Sequence, residues 1–418
     1  MKKYLYAAAS LIIAASMLIV PVVYADRGET ASEPEVSEEQ SSAGEEEADP
    51  DSDCIIAGSP GGSSKPVIPA VKETVVDVGL CYGKSAPQEI TLSAPEGSML
   101  YFDGSVYRTL SFTLRDGKLV CGGREYYGAT VRSTGTTVLS ATGYEYDGKF
   151  ILSCGEQGIT VVNRVTLEEY VKGVMSPEIG TKCSYESRKA FAIIARTLVF
   201  SKTGHRGFDV CAASDCQVYK GRHDADAEND RAVDETAGLI LTYMDKPCLA
   251  CYGSSQGQWS CSSAAAWVGS DIPYLRCVYY ENEPYTTYGG EWDAARSWTQ
   301  LSERLGKYTV TGTVTDITVA ERDPHGGSYA YVLRITDSGN NVYDLYYASS
   351  IASSLGVRSG NFTIEYTDTG VILHGKGNGH GVGYSQVGGN AMGRDGYSFD
   401  EILAFYYPGT EIDTAPAK

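Results

Sequence analysis

Three stretches of this chain carry residues whose types and spacing could do chemistry. In MSPEIG, Glu178 follows a proline between two helical patterns, and a lone carboxylate at such a corner can face a cleft as a general acid or base. In GKGNGHGVGYSQVGG, residues 375–389, glycines let backbone approach a ligand while His380, Tyr384, Ser385 and Gln386 supply polar groups. By itself that loop reads equally well as tight turns around a satisfied histidine. It is not a nucleotide loop: the third glycine of a dinucleotide fingerprint is missing, and Gly377 stands where a P-loop needs Ser or Thr. In GHRGFDVCAASDCQ, His205, Cys211 and Cys216 make three zinc ligands, with Asp215 or water as a fourth. A Cys211–Cys216 disulfide explains the same spacing in an oxidising compartment, and the residues leave both readings open.

The elements that must position these groups follow from local pattern. Thr166 and Glu169 read as a capping box that opens a helix. Leu167, Tyr170, Val171, Val174 and Met175 give it a buried stripe, and Pro177 restricts Ser176 and is expected to stop it, so that Glu178 falls just past the break. Ser184 is a second N-cap, after which Ala190, Ile193, Ile194, Thr197 and Leu198 keep helical spacing up to Gly204. Ser398 and Glu401 form another capping box, opening a short helix that Pro408-Gly409 closes.

Residues 71–162 alternate apolar and polar in short runs, with Asp103-Gly104, Asp116-Gly117 and Asp147-Gly148 as turn signals; this is a β-rich region. A helical turn over 232–239 and a hairpin follow the central helices, and residues 312–346 alternate again, as a second β-rich insertion. The expected fold class is α+β: helices packed on a mixed, mainly antiparallel sheet, with a β-rich region over 70–160, a main domain over 161–412 and a small β insertion at about 306–370.

With 418 residues there is room for two or three domains. Lys2 and Lys3, the apolar run from Tyr4 to Val23 and then Val23-Tyr24-Ala25 fit an export signal over residues 1–25. The run is also long enough for an uncleaved membrane anchor, and both readings stand. Residues 26–69 form an acidic spacer rich in Glu, Asp, Gly, Ser and Pro, which carries most of the net charge of -19. So acidic a chain excludes nucleic acid as a natural partner. Eleven cysteines in an exported protein suggest disulfides, with one left over.

LEEYVKGVMSPEIG, RKAFAIIARTLVF, DVCAASDCQVYKG, SDIPYLRCV and GKGNGHGVGYSQVGG with FDEILAFYYPGTEI occur in this order over about residues 161–412. Together they resemble the stage II sporulation protein D and amidase-enhancer family. The resemblance implies an extracytoplasmic protein, secreted or held at the outer face of the cytoplasmic membrane, that acts on peptidoglycan glycan strands in sporulation-linked wall remodelling. In the sporulation branch it implies a lytic transglycosylase: Glu178 would protonate the oxygen between MurNAc and GlcNAc, then act as base toward the MurNAc C6 hydroxyl, leaving a 1,6-anhydro end. His380, Tyr384, Ser385, Gln386, Ser254, Ser255 and Arg196 would bind substrate. Some members carry a zinc near the site, which adds weight to His205, Cys211 and Cys216 as its holders. The other branch implies a non-catalytic wall-binding enhancer of an N-acetylmuramoyl-L-alanine amidase, its partner.

The chain departs from the family where Gly253-Ser254-Ser255-Gln256-Gly257-Gln258 replaces the frequent His-Ser-Ser-Ser-Gly-Gly. Phe191 stands where a glutamine is common, and Asp215 where some zinc-binding members have histidine.

Overall fold

Short alternating runs and positive-φ turns build the first half of the computed structural model, which describes residues 74–201, 205–284 and 290–416 together with the strand residues 23–25 and 55–56. Those strand residues apart, the expected export signal, the acidic spacer and Cys54 lie outside the described residues, as does Gly204. Strands β1 (Val75–Cys81), β2 (Leu100–Phe102), β3 (Ser105–Tyr107), β4 (Gly128–Ser133), β5 (Lys149–Cys154) and β6 (Ile159–Thr166) pair antiparallel in the order β1-β6-β5-β4-β2-β3, and the short strand Val210–Cys211 adds parallel to the outer edge of β1. A six-stranded antiparallel sheet that includes Glu89–Ser93 and Thr109–Arg115 accompanies it.

Asp103-Gly104 and Asp116-Gly117 take positive φ at both residues (48° and 73°, 48° and 72°), as the tight hairpin turn requires. Asp147-Gly148 does something else. The strands on either side of it, Glu145–Tyr146 and β5, belong to different sheets, so it marks a crossing rather than a hairpin.

β6 runs directly into helix α1 (Leu167–Ile179), followed by α2 (Tyr185–Ser201) and α3 (Ala227–Glu235). Thr166 caps α1, its hydroxyl accepting the Glu169 N–H at 3.3 Å. The expected box is only half made, because the Glu169 carboxylate turns to Lys172 at 3.0 Å. Ser184 precedes α2 as expected, but its side chain makes no cap; its N–H donates to the Asn390 side chain at 2.8 Å. α3 starts earlier than the turn expected over 232–239, because Asp226 accepts the Asn229 N–H at 2.9 Å and caps it there.

The main correction concerns Pro177. α1 does not stop at Ser176 but continues through the proline to Ile179, so Glu178 lies in the last helical turn rather than beyond it. A proline inside a helix leaves the carbonyl four residues back without its donor. Here that carbonyl belongs to Gly173, and it accepts the backbone N–H of Lys220 at 3.2 Å.

Tyr170, Val171, Val174 and Met175 of α1 pack with Phe191 and Ile194 of α2, with Val161 and Val165 of β6, and with Val382, Tyr384 and Tyr406 near the C-terminus. One contiguous core therefore spans the β-rich region and the helices. A second core, including Leu301, Ile317, Leu333, Ile351 and Leu373, holds the insertion together and reaches beyond the expected 306–370, since helix α4 (Trp298–Leu305) and Leu373 belong to it; α4 and α5 (Ala348–Leu355) flank an antiparallel meander. The chain returns to the main core through α6 (Gln386–Arg394) and α7 (Phe399–Tyr406), the latter opened by the expected Ser398–Glu401 box. The fold is α+β, with several mostly antiparallel sheets and a β-rich N-terminal region.

Candidate functional site

Glu178 sits at the C-terminal end of α1 because the helix is prolonged past its proline, and a strap of chain following Cys216 lies across that end. Within the strap, Tyr219 donates its hydroxyl to Asn163 at 2.8 Å, and Lys220 reaches Gly173. Gly173 makes this approach possible: a Cβ there would meet the Tyr219 ring at 2.4 Å. Docked in this way, the strap aims the Val218 N–H at Glu178 Oε1, 2.6 Å away.

The other carboxylate oxygen, Oε2, faces the Gln386 side-chain amide, 3.5 Å away at the start of α6. Burial raises the Glu178 carboxyl above the usual carboxylate range, while the Val218 amide, the Tyr252 hydroxyl and the Gln386 amide oppose that shift by favouring the anion. A half-buried acid with donors ready for its conjugate base can give a proton and take one back.

Gln386 is thus the sequence-predicted partner that the structure brings directly to Glu178. Ser385, its neighbour, is fully buried and caps α6, accepting the Gly388 N–H at 3.0 Å. The short parallel pairing of Tyr252–Gly253 with Tyr384–Ser385 brings the segment containing Ser254 and Ser255 alongside the glycine-rich loop. Ser254 is half-buried, and its carbonyl accepts the Val387 N–H at 3.0 Å.

His380 contributes at one remove. Its Nδ1 accepts the Val382 N–H at 3.0 Å, its ring packs on Trp267 and it hydrogen-bonds the Tyr252 backbone. Burial pushes the imidazole down to about 4, so it is neutral at physiological pH. It holds the backbone of the residue whose hydroxyl faces Glu178.

Two expected ligand-binding residues are core residues instead. Tyr384 is fully buried, hydrogen-bonded to Ser187 at 2.8 Å and packed edge-on against Tyr406. Arg196 is also fully buried, with Glu168 at 2.6 Å and the Leu239 carbonyl at 2.9 Å as partners. A guanidinium with its donors so occupied ties α2 to α1 and cannot also grip a ligand.

Sequence reading missed Glu283. Its Oε1 accepts from the hydroxyls of Ser255 (2.6 Å) and Ser385 (3.0 Å) and from the backbone N–H groups of Gln256 (2.8 Å) and Gly257 (3.2 Å). One buried carboxylate therefore joins the two segments that border the site, and both serine hydroxyls are committed to it. Burial holds its carboxyl above the usual carboxylate range as well, and among the described residues its second oxygen has no hydrogen-bond partner. Nothing local in ENEP marks this role; it emerges only when the three segments meet. Val218 was equally invisible, since it acts through its backbone.

The third predicted group does assemble. The ligand atoms of His205, Cys211, Asp215 and Cys216 lie within 4.8 Å of one another, with His205 Nε2 3.2 Å from Cys216 Sγ and 3.6 Å from Asp215 Oδ2. Cys211 and Cys216 are not joined to each other by a disulfide. Hydrogen bonding from Cys216 outweighs burial and brings the Cys211 thiol down to about 5.

Comparison with known proteins agrees with the motifs. The family model described as stage II sporulation protein matches residues 155–243. An uncharacterised protein of Brachyspira hyodysenteriae is 32% identical over 65% of this chain and 73% of its own length. Stage II sporulation protein D of Bacillus amyloliquefaciens is 30% identical over 61% of this chain and 76% of its own length. The amidase enhancer of Bacillus subtilis is 26% identical over 58% of this chain, but only 40% of that longer protein is covered.

Proposed function

From the premise that this chain belongs to the stage II sporulation protein D family, we propose that it is a peptidoglycan lytic transglycosylase of sporulation-linked wall remodelling, with Glu178 as its acid and base. The observation that carries this reading is the setting of Glu178: burial favours the protonated form, and the Val218 amide and Gln386 side chain stand ready for the anion.

In the first step the protonated carboxyl gives its proton to the glycosidic oxygen between MurNAc and GlcNAc, and the bond to MurNAc C1 breaks. The resulting carboxylate then takes the proton of the MurNAc C6 hydroxyl as that oxygen bonds to C1. No water enters, the carboxyl returns to its starting state, and the new end is a 1,6-anhydro sugar. One carboxyl suffices because the nucleophile is part of the substrate, whereas two-carboxylate hydrolysis needs a second group to activate or replace water. Gln386 and Ser254 border the site and are assigned to substrate positioning. His380, through Tyr252, and Glu283, through Ser255 and Ser385, hold its walls.

We assign His205, Cys211, Asp215 and Cys216 to a structural zinc. Two sulfurs, an imidazole and a carboxylate within 4.8 Å are a donor set suited to a tetrahedral ion. Bound there, zinc would supply fixed geometry and charge neutralisation for the thiolates. The strap whose Val218 N–H meets Glu178 begins directly after Cys216, so these ligands would hold one end of it.

The protein is assigned to the outer side of the cytoplasmic membrane, where its substrate lies. Among the described residues no helix is long and apolar enough to cross a membrane. A second reading, a non-catalytic enhancer of a wall amidase, is favoured by the likeness to the amidase enhancer and by Gly253 standing where the family often has histidine.

Mass spectrometry of soluble products from glycan strands, intact or stripped of stem peptides, tests the choice. Anhydro-ended products from the native protein and none from Glu178→Gln support the transglycosylase. No products from either, with strand binding retained, would move the assignment to the enhancer.

A further inference from the structure

The large sheet aligns charge in a way that the proposed chemistry does not use. Arg132 on β4 stands directly opposite Lys149 on β5, Lys149 opposite Arg164 on β6, and Arg164 opposite Asp77 on β1. Directly paired residues on neighbouring strands share a face, so three cations stand in a row about 5 Å apart at the backbone. Only Arg164 is neutralised within the row: its Nε and Nη2 donate to the two oxygens of Asp77, each at 2.5 Å. Among the described residues, the side chains of Arg132 and Lys149 have no ion pair or hydrogen bond.

These residues line an open groove of about 590 Å³, shared with Ser133, Thr166 and Asp209. Asp209 accepts the Asp77 N–H at 2.9 Å and acts with Asp77 on Arg164, so the lining carries three cations, Arg132, Lys149 and Arg164, against two carboxylates, Asp77 and Asp209, and stays net positive. Like charges placed directly opposite each other repel, and a negatively charged ligand lying across them removes that repulsion. Arginine pairs with carboxylate or phosphate through two parallel hydrogen bonds, and lysine adds a point charge.

We propose that this groove is a binding site for the oxyanion groups, carboxylate or phosphate, of an extended wall polymer. Its position fits such a ligand: Thr166, in its lining, caps the helix whose last turn holds Glu178, which sets the groove about 18 Å from that carboxyl along the helix axis. A polymer gripped at the groove would be held well away from the site where its sugar chain is cut. The identity of the polymer rests on the wall-acting function proposed above; the anion chemistry does not.

The test compares the native full-length chain with an Arg132→Gln/Lys149→Gln double variant, both side chains lying on the sheet surface. Binding is measured at low and high salt to glycan strands bearing stem peptides, to strands stripped of them, and to poly(glycerol phosphate). The native chain is expected to bind peptide-bearing strands or the polyphosphate with an affinity that falls as salt rises, and the double variant to bind at least about tenfold more weakly with a flatter salt dependence. Loss confined to peptide-bearing strands identifies carboxylates as the ligand; loss confined to poly(glycerol phosphate) identifies phosphates. A double variant that melts like the native chain and binds both polymers equally well overturns the proposal, as does native binding that ignores salt. Anhydro products from stripped strands are followed in parallel. Products formed without groove-dependent binding sink only the groove, and groove-dependent binding without products sinks only the transglycosylase.

Discussion

Lys220 donates its backbone N–H to the carbonyl of Gly173, the acceptor that Pro177 leaves without a donor inside α1. The contact explains how a helix can run through a proline and deliver a carboxylate at its last turn. It also sets a steric requirement. Gly173→Ala would put a methyl 2.4 Å from the Tyr219 ring and 3.1 Å from Gly221 Cα, and must displace the strap. The substitution favours the helix intrinsically, yet the expected outcome is destabilisation of about 1–3 kcal/mol, as for other overpacked sites, with loss of anhydro product. Thermal unfolding and the product assay check this; an alanine variant as stable and active as the native chain removes the strap from the site.

Glu178→Gln should abolish product formation while stabilising the fold near neutral pH. Burial raises the native carboxyl, so the folded state holds its proton to higher pH than the unfolded chain does, and native stability falls as pH rises through the raised value. Glutamine keeps an acceptor for Val218 and carries no charge. Melting curves from acidic to neutral pH should show the variant gaining on the native chain as pH rises. A variant that melts lower at neutral pH contradicts this account of Glu178.

Glu283 separates into two predictions by substitution. Alanine strands the Ser255 and Ser385 hydroxyls and the Gln256 and Gly257 N–H groups in a buried place, and should cost about 3 kcal/mol or more in denaturant unfolding. Glutamine keeps an acceptor for those donors, and its amide can face Tyr406, whose hydroxyl also has no partner among the described residues; it should cost less than about 1 kcal/mol. Equal losses from the two changes would show that volume, not hydrogen bonding, is what Glu283 supplies.

Much of the architecture was legible because its signals are local. The Asp103-Gly104 and Asp116-Gly117 turns, the stripe from Leu167 to Met175 and the Ser398–Glu401 box each act within a few residues. What misled were residues whose role is decided by distant chain. Pro177 reads as a stop until Lys220 arrives, and Arg196 reads as a ligand-binding cation until Glu168 and the Leu239 carbonyl enclose it. Glu178 and Gln386 were each singled out because both lie in recognisable motifs, and the structure brings them together. Tyr252 and Glu283 were not, since nothing adjacent to them signals a site.

His380 should leave a mark on acid stability. Its folded-state value is held down near 4, whereas the unfolded chain protonates close to the ordinary histidine value, so the unfolded state binds more protons between those limits. Stability is therefore expected to fall as pH drops from about 6.5 to 4, by up to about 3 kcal/mol from this residue. His380→Gln should flatten that part of the stability profile. An unchanged slope would place the acid sensitivity elsewhere.

The zinc assignment yields the last prediction, because a metal and a disulfide make opposite demands on the same sulfurs. If His205, Cys211, Asp215 and Cys216 hold zinc, protein purified under reducing conditions should retain about one equivalent after dialysis, and Cys211 and Cys216 should resist a thiol reagent until a chelator is added. Chelation should lower the melting temperature and reduce product formation together, because the strap that presents Val218 to Glu178 loses its anchor at Cys216. Cys216→Ser should abolish retention and mimic chelation. Should the protein instead retain no metal and show a Cys211–Cys216 disulfide in peptide mapping, the strap would be anchored by that bond, and a reductant rather than a chelator would release it.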